Sequence, residues 1–161
     1  MGVPRAEDRF FEENADRVFR LCLRLCAGQH AEAEDLAQET LLAAWRGRYR
    51  FLGKARQSTW LHAIAINLWR KRLAQKQPVE SLEEELHGAD PVQIELEKLS
   101  LDRALMALPA TLREAFVLVK AEGLTHKEAA KALGIPQGTV QSRVFDATRQ
   151  LRILLSEEFP K

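Results

Sequence analysis

The sequence predicts an all-α protein of two small helical domains joined by a flexible acidic linker, the C-terminal domain a helix-turn-helix. Apolar residues recur with a period near 3.6 along most of the chain, and no Val/Ile/Thr alternation suggests a strand. Only six prolines and eight glycines punctuate 161 residues. The periodicity lapses between residues 77 and 91, where Pro78, Gly88 and Pro91 bracket Glu80, Glu83, Glu84 and Glu85. The domains therefore fall at residues 1–76 and 92–161, with 77–91 as a flexible acidic linker, suited equally to a solvated tether or to threading a nucleic-acid channel as a mimic.

The first helix is expected over about Ala6 to Ala27, with Phe11, Val18, Phe19, Cys22, Leu25 and Cys26 inward and Gly28 ending it. A second follows from about Ala31 to Arg46. Asp35, Gln38, Glu39, Leu42 and Arg46 share one of its faces, while Leu41, Ala44 and Trp45 point inward. That polar face, interrupted by one leucine, suits either plain solvation or docking onto a partner helix. After a basic loop over Gly47 to Gln57, Ser58 or Thr59 can cap a third helix reaching about Gln75. Its expected buried stripe is Leu61, Ile64, Ala65 and Leu68. Trp60, Asn67, Arg70 and Lys71 fall on the opposite side, where a tryptophan is costly unless something covers it.

A helix resumes from about Val92 to Leu108 and stops before Pro109. Thr111 with Glu114 and Thr125 with Glu128 have capping-box spacing, opening helices over about Ala110–Glu122 and Thr125–Leu133. Gly134 closes the shorter one. After Pro136 a longer helix runs to about Leu155, burying Val140, Val144, Ala147 and Leu151 and leaving Gln141, Ser142, Phe145, Asp146 and Arg149 free. A short helix, a glycine turn and a longer helix make the helix-turn-helix pattern, whose second helix enters the DNA major groove.

Composition is ordinary for a soluble protein, with 46% hydrophobic residues and a net charge of +1. By segment it is polarised. Residues 46–76 hold nine Lys and Arg and no acid, whereas residues 77–102 hold eight acids and one base. Tyr49, Phe51, Trp60 and Trp69 are threaded among those nine cations, with Trp45 at the edge. Cations attract phosphate and flat aromatic faces stack unpaired bases, so the segment is a candidate surface for opened nucleic acid. The alternative is a solvated charged surface over a Trp-containing core.

Two cysteines four residues apart in one helix make no disulfide framework, and Met1 to Arg9 does not resemble a signal peptide. No apolar run approaches the roughly 18 residues of a membrane span. A cytoplasmic location without membrane insertion is expected, and no cofactor. Cys22, Cys26 and His30 fall at i, i+4 and i+8 and form a weak candidate metal or redox site, against which His30 lies beyond Gly28. A helical metalloenzyme built on Glu34, Asp35 and Glu39 lacks any Glu-x-x-His pair, and the histidines are scattered.

Two blocks decide among these readings. One is AEDLAQETLLAAW (Ala33 to Trp45) followed by FLGKARQSTWLHAIAINLWRKRL (Phe51 to Leu73), and the other runs from Ala107 to Leu151. In their order and spacing they resemble the extracytoplasmic-function (ECF) sigma factors of bacterial RNA polymerase, regions 2 and 4 only. The resemblance implies a promoter-specificity subunit, not an enzyme, that binds core RNA polymerase and promoter DNA, both duplex and single strand. It implies an anti-sigma factor as a further partner. Asp35, Gln38 and Glu39, on the face shared with Leu42 and Arg46, match the motif that docks on the clamp coiled coil of the polymerase large subunit. Lys54, Trp60, Asn67 and Arg70, with Lys71 beside them, match the segment that reads the melted upstream element. Gln141, Ser142, Arg143, Phe145 and Asp146 match contacting positions of the helix that reads the distal duplex element, with Arg149 on the same free face. Thr139 lies at the helix start, within reach of a phosphate. Gln141 and Asp146 stand where bases are common in the family, and Lys71 where an acid or amide is common. The alternative is a helix-turn-helix regulator acting without being a polymerase subunit, which leaves the aromatic-basic segment unexplained.

Overall fold

The computed structural model describes residues 5–51, 56–76 and 93–158. All regular structure among them is helical: α1 (Ala6–Leu25), α2 (His30–Arg46), a 3₁₀ turn (Arg48–Arg50), α3 (Gln57–Gln75), α4 (Gln93–Ala107), α5 (Ala110–Phe116) continued by a π-helical turn (Val117–Ala121), α6 (His126–Leu133) and α7 (Gln137–Glu158). No described helix is long and apolar enough to cross a membrane. The expected linker, residues 77–91, and the candidate Lys54 lie outside the described residues.

The first three helices wrap a core of Val18, Leu21, Cys22, Leu25, Leu36, Leu41, Leu61, Ala65, Ile66 and Trp69. The same cluster continues without a break into Ala115, Leu118, Ala129, Leu133 and Val140 of the C-terminal half. A second cluster packs Ala27, at the end of α1, among Leu105, Leu108, Ala147 and Leu151. Gly28 is required there. Its φ is +84°, and a Cβ would lie 2.8 Å from the Asp102 carboxyl carbon of α4.

Several local expectations hold. Val140, Val144, Ala147 and Leu151 are all buried along α7. The Thr125 hydroxyl accepts the Glu128 N–H at 3.1 Å, and Gly134 closes α6 at φ +68°. Others need correction. Thr111 is exposed and does not cap α5, whose N-cap is Pro109. Arg56, not Ser58 or Thr59, is the N-cap of α3. The buried side of α3 is Leu61, His62, Ala65, Ile66 and Trp69, with Ile64 and Leu68 only half-buried. Trp60, expected uncovered, is half-buried against Phe51, the ring centroids 5.2 Å apart. The reason is packing on two sides: α3 meets α1 and α2 along one face and α6 along another, so a single stripe cannot describe it.

Candidate nucleic-acid interface

The seam between the two halves is built from charges as well as apolar contact. Arg70 of α3 grips the buried Glu114 carboxylate of α5 with two hydrogen bonds, Nη2 to Oε1 at 2.5 Å and Nε to Oε2 at 2.8 Å. Its Nη1 donates to the Leu133 carbonyl at 3.1 Å. This bidentate geometry is the strongest form of the Arg–carboxylate pair, and it pushes the Arg70 pKa up further. Arg143 of α7 approaches the same carboxylate at 3.9 Å. One buried acid thus holds a cation from each half.

A second acid does similar work lower on the seam. Glu122 accepts from Arg24 Nη1 at 2.5 Å and faces His62 Nε2 at 3.2 Å, while His62 Nδ1 contacts the Ser58 carbonyl. Burial alone would raise the Glu122 carboxyl, but the bond and charge of His62, then those of Arg24, hold it below the ordinary carboxylate range. Thr59 donates to Glu128 at 3.4 Å, and Arg113 donates to the Leu25 carbonyl at 3.1 Å.

Beyond the seam, the basic segment forms an aromatic ladder. Trp45 packs against Phe10 and Phe11, with centroids 5.7 and 6.1 Å away. The Arg48 guanidinium lies 3.9 Å from the Trp45 ring centre and 4.3 Å from that of Tyr49. In α7, by contrast, Gln141, Ser142, Phe145 and Arg149 are exposed along one face, Phe145 to 67%.

Comparison with known proteins matches both halves. Residues 10–79 match the model for Sigma-70 region 2, and residues 98–151 that for Sigma-70, region 4. The chain belongs to the ECF RNA polymerase sigma factors. It is 36% identical over 157 residues to the ECF RNA polymerase sigma factor SigM of Mycobacterium tuberculosis, covering 96% of this chain and 79% of SigM. It is 32% identical over 154 residues to SigW of Bacillus subtilis, covering 85% and 82% respectively. Among solved structures it is similar to the sigma factor RpoE in complex with the anti-sigma factor NepR from Bartonella quintana. The TM-score is 0.73 at 26% identity, covering 95% of this chain and 97% of RpoE. CnrH, solved with the cytosolic domain of CnrY, shares the fold at a TM-score of 0.72 and 23% identity, with 97% and 91% covered. As an ECF sigma factor the protein is a non-catalytic subunit that directs RNA polymerase to promoters.

The sequence-derived residues of this sigma factor fall into three groups. On α2, Asp35, Gln38, Leu42 and Arg46 are exposed together, whereas Glu39 is tied to Arg72 of α3 at 2.7 Å. In region 2, Asn67 and Lys71 are exposed, Trp60 packs against the tilted Phe51 ring and Arg70 is held at the seam. In region 4, Thr139, Arg143 and Asp146 are half-buried, and Asp146 pairs loosely with Arg149 at 3.7 Å. The sulfur candidates are not assembled. Burial pushes the Cys22 thiol up to about 12 and Cys26 to about 11, and both are free. His30 is exposed and packs on Phe19, with ring centroids 5.9 Å apart. No group of three potential metal ligands occurs among the described residues. Arg48, Glu114 and Glu122 were missed by sequence reasoning, since their partners come from elsewhere in the chain or from a stacked geometry.

Proposed function

We propose that the two halves divide promoter recognition, residues 1–76 docking on polymerase and engaging the melted strand, residues 92–161 reading duplex DNA, with 77–91 as the tether. The observation that carries this is the contrast in chemistry between the exposed faces. The α2 face presents Asp35, Gln38 and Leu42, an acid, an amide and an apolar contact suited to a protein helix rather than to phosphate. The α7 face presents Gln141, Ser142 and Phe145, with Thr139 at the helix start, a hydrogen-bonding and apolar set suited to base edges and thymine methyls. Arg149 and Arg143 flank that set for phosphate, and Asp146 accepts from a cytosine amine. Lys54, Trp60, Asn67 and Lys71 serve the single strand, Trp60 by positioning and the others by charge or amide contact, and Arg70 joins them only where it is released from Glu114.

An anti-sigma factor is a further partner in this reading, supported by the likeness to RpoE, which was solved with NepR. It would cover the exposed α2 and α7 faces, and the factor would act in the cytoplasm. The test is competition for core polymerase. Asp35→Arg and Gln38→Ala should weaken co-elution with core by roughly tenfold each, as expected for exposed contacts at the centre of an interface. The same variants should leave duplex promoter contacts of the assembled complex unchanged. Undiminished co-elution would move the docking face away from α2.

A further inference from the structure

We propose that Glu114 is an autoinhibitory latch that holds Arg70 away from the melted strand in the free factor and passes to Arg143 when the two halves part. The proposal deepens the reading of Arg70 as a strand contact and rests on it. Every guanidinium nitrogen of Arg70 is already engaged inside the molecule. Nε and Nη2 donate to the two Glu114 oxygens, and Nη1 donates to the Leu133 carbonyl. A carboxylate held side-on fills the same fork that a phosphate or a base edge would enter. Arg70 cannot serve Glu114 and a nucleic-acid strand together, so closure of the seam and capture of the strand exclude one another.

A latch must also release. Glu114 is only 2% exposed, and a buried carboxylate stripped of its cation is costly. Arg143 removes that obstacle. Its Nη1 stands 3.9 Å from Glu114 Oε1, beyond hydrogen-bond distance, on a helix of the same half as Glu114. A small turn of that side chain completes the pair within region 4 once Arg70 leaves, so Glu114 has a partner in both states. The other polar ties across the seam are ones that water can replace. Arg24, on Glu122, has a side chain 41% exposed, and Thr59 reaches Glu128 at 3.4 Å. Residues 76–92 join α3 to α4, and at roughly 3.3 Å per extended residue they allow the halves to separate. The apolar cluster that runs unbroken across the seam makes closure the resting state. Opening falls to a partner that binds the open form better, which in the proposed division of promoter recognition is core polymerase.

The test reads the freedom of Arg70 directly, by its rate of modification with p-hydroxyphenylglyoxal, followed by peptide mass spectrometry. Exposed Arg17 of α1 is the internal reference. Three samples of the full-length wild type are compared: free factor, holoenzyme with core polymerase, and holoenzyme on a promoter fragment forked so that its upstream element is unpaired. Arg70 should be protected in the free factor, become on the order of tenfold more reactive in holoenzyme, and be protected again on the fork. In the free factor, Glu114→Gln should raise Arg70 reactivity on the order of tenfold. If that variant does not fold, the wild-type comparison alone decides. Arg70 as reactive as Arg17 in the free factor, or still protected in holoenzyme without DNA, overturns the latch. Arg70 that is freed on polymerase but stays reactive on the fork overturns the reading of Arg70 as a strand contact, and the masking role of Glu114 with it.

Discussion

The two DNA-directed surfaces of this sigma factor are prepared in opposite ways. The α7 face of region 4 holds Gln141, Ser142, Phe145 and Arg149 exposed and, among the described residues, without a hydrogen bond or ion pair to region 2. The basic segment of region 2 is richer in charge, yet much of that charge is engaged within the molecule. Arg70 is gripped by Glu114, Arg72 by Glu39 and Lys76 by Glu32. A cation contributes to nucleic-acid attraction only to the extent that it is not already neutralised. A count of nine cations therefore overstates the field of region 2 in this closed arrangement, whereas region 4 presents what its sequence promises.

The largest test of this contrast is the stability of the seam. Arg70→Ala leaves the buried Glu114 carboxylate without its main partner. The expected loss is about 3 kcal/mol at most, because Arg70 is partly exposed and Arg143 stands near enough to take over in part. A lowered urea midpoint at unchanged slope is the readout. An unchanged midpoint would mean that the Arg70–Glu114 pair does not contribute to holding the seam. On the α7 side, Phe145→Ala should move the midpoint by less than about 0.5 kcal/mol, because its ring is exposed, while weakening promoter binding.

Acid sharpens the comparison further, with a smaller effect. Glu122 has its carboxyl held below the ordinary 4.5 in the folded protein, so its contribution is fully present above that value. That contribution is lost as pH falls below about 4.5 and through the depressed value. The groups facing it are His62 and Arg24, with the neutral Cys22 thiol nearby. Urea unfolding of wild type and Glu122→Gln should therefore differ at neutral pH and converge in acid. A difference that persists unchanged at low pH would contradict the assignment.

How far the sequence was legible follows the same division. Helix α7 buries one stripe and exposes the other, so a period of 3.6 found Val140, Val144, Ala147 and Leu151 without error. The α6 cap and its closing glycine are local devices and were equally readable, at Thr125 and Gly134. Helix α3 was not, because it is covered on two sides. His62, Ile66 and Trp69 are buried where a single stripe left them out, and Trp60 found cover in Phe51. Glu114 has capping-box spacing with Thr111, yet it serves Arg70, 44 positions away in the chain. Chain-distant pairing leaves no periodic trace. The residues of the candidate surfaces were legible by resemblance, but which of them stand free and which are held was visible only in three dimensions.

The most direct measurement is binding of the assembled holoenzyme to forked promoter DNA in which either the distal duplex element or the unpaired upstream element is scrambled. It would be made with two exposed single substitutions, Asn67→Ala in α3 and Gln141→Ala in α7. The division of labour predicts that Gln141→Ala loses roughly tenfold of its discrimination at the duplex element alone, and Asn67→Ala a comparable part at the unpaired element alone. If either substitution erodes discrimination at both elements equally, or at the wrong one, the assignment of single-strand and duplex reading to the two regions is contradicted.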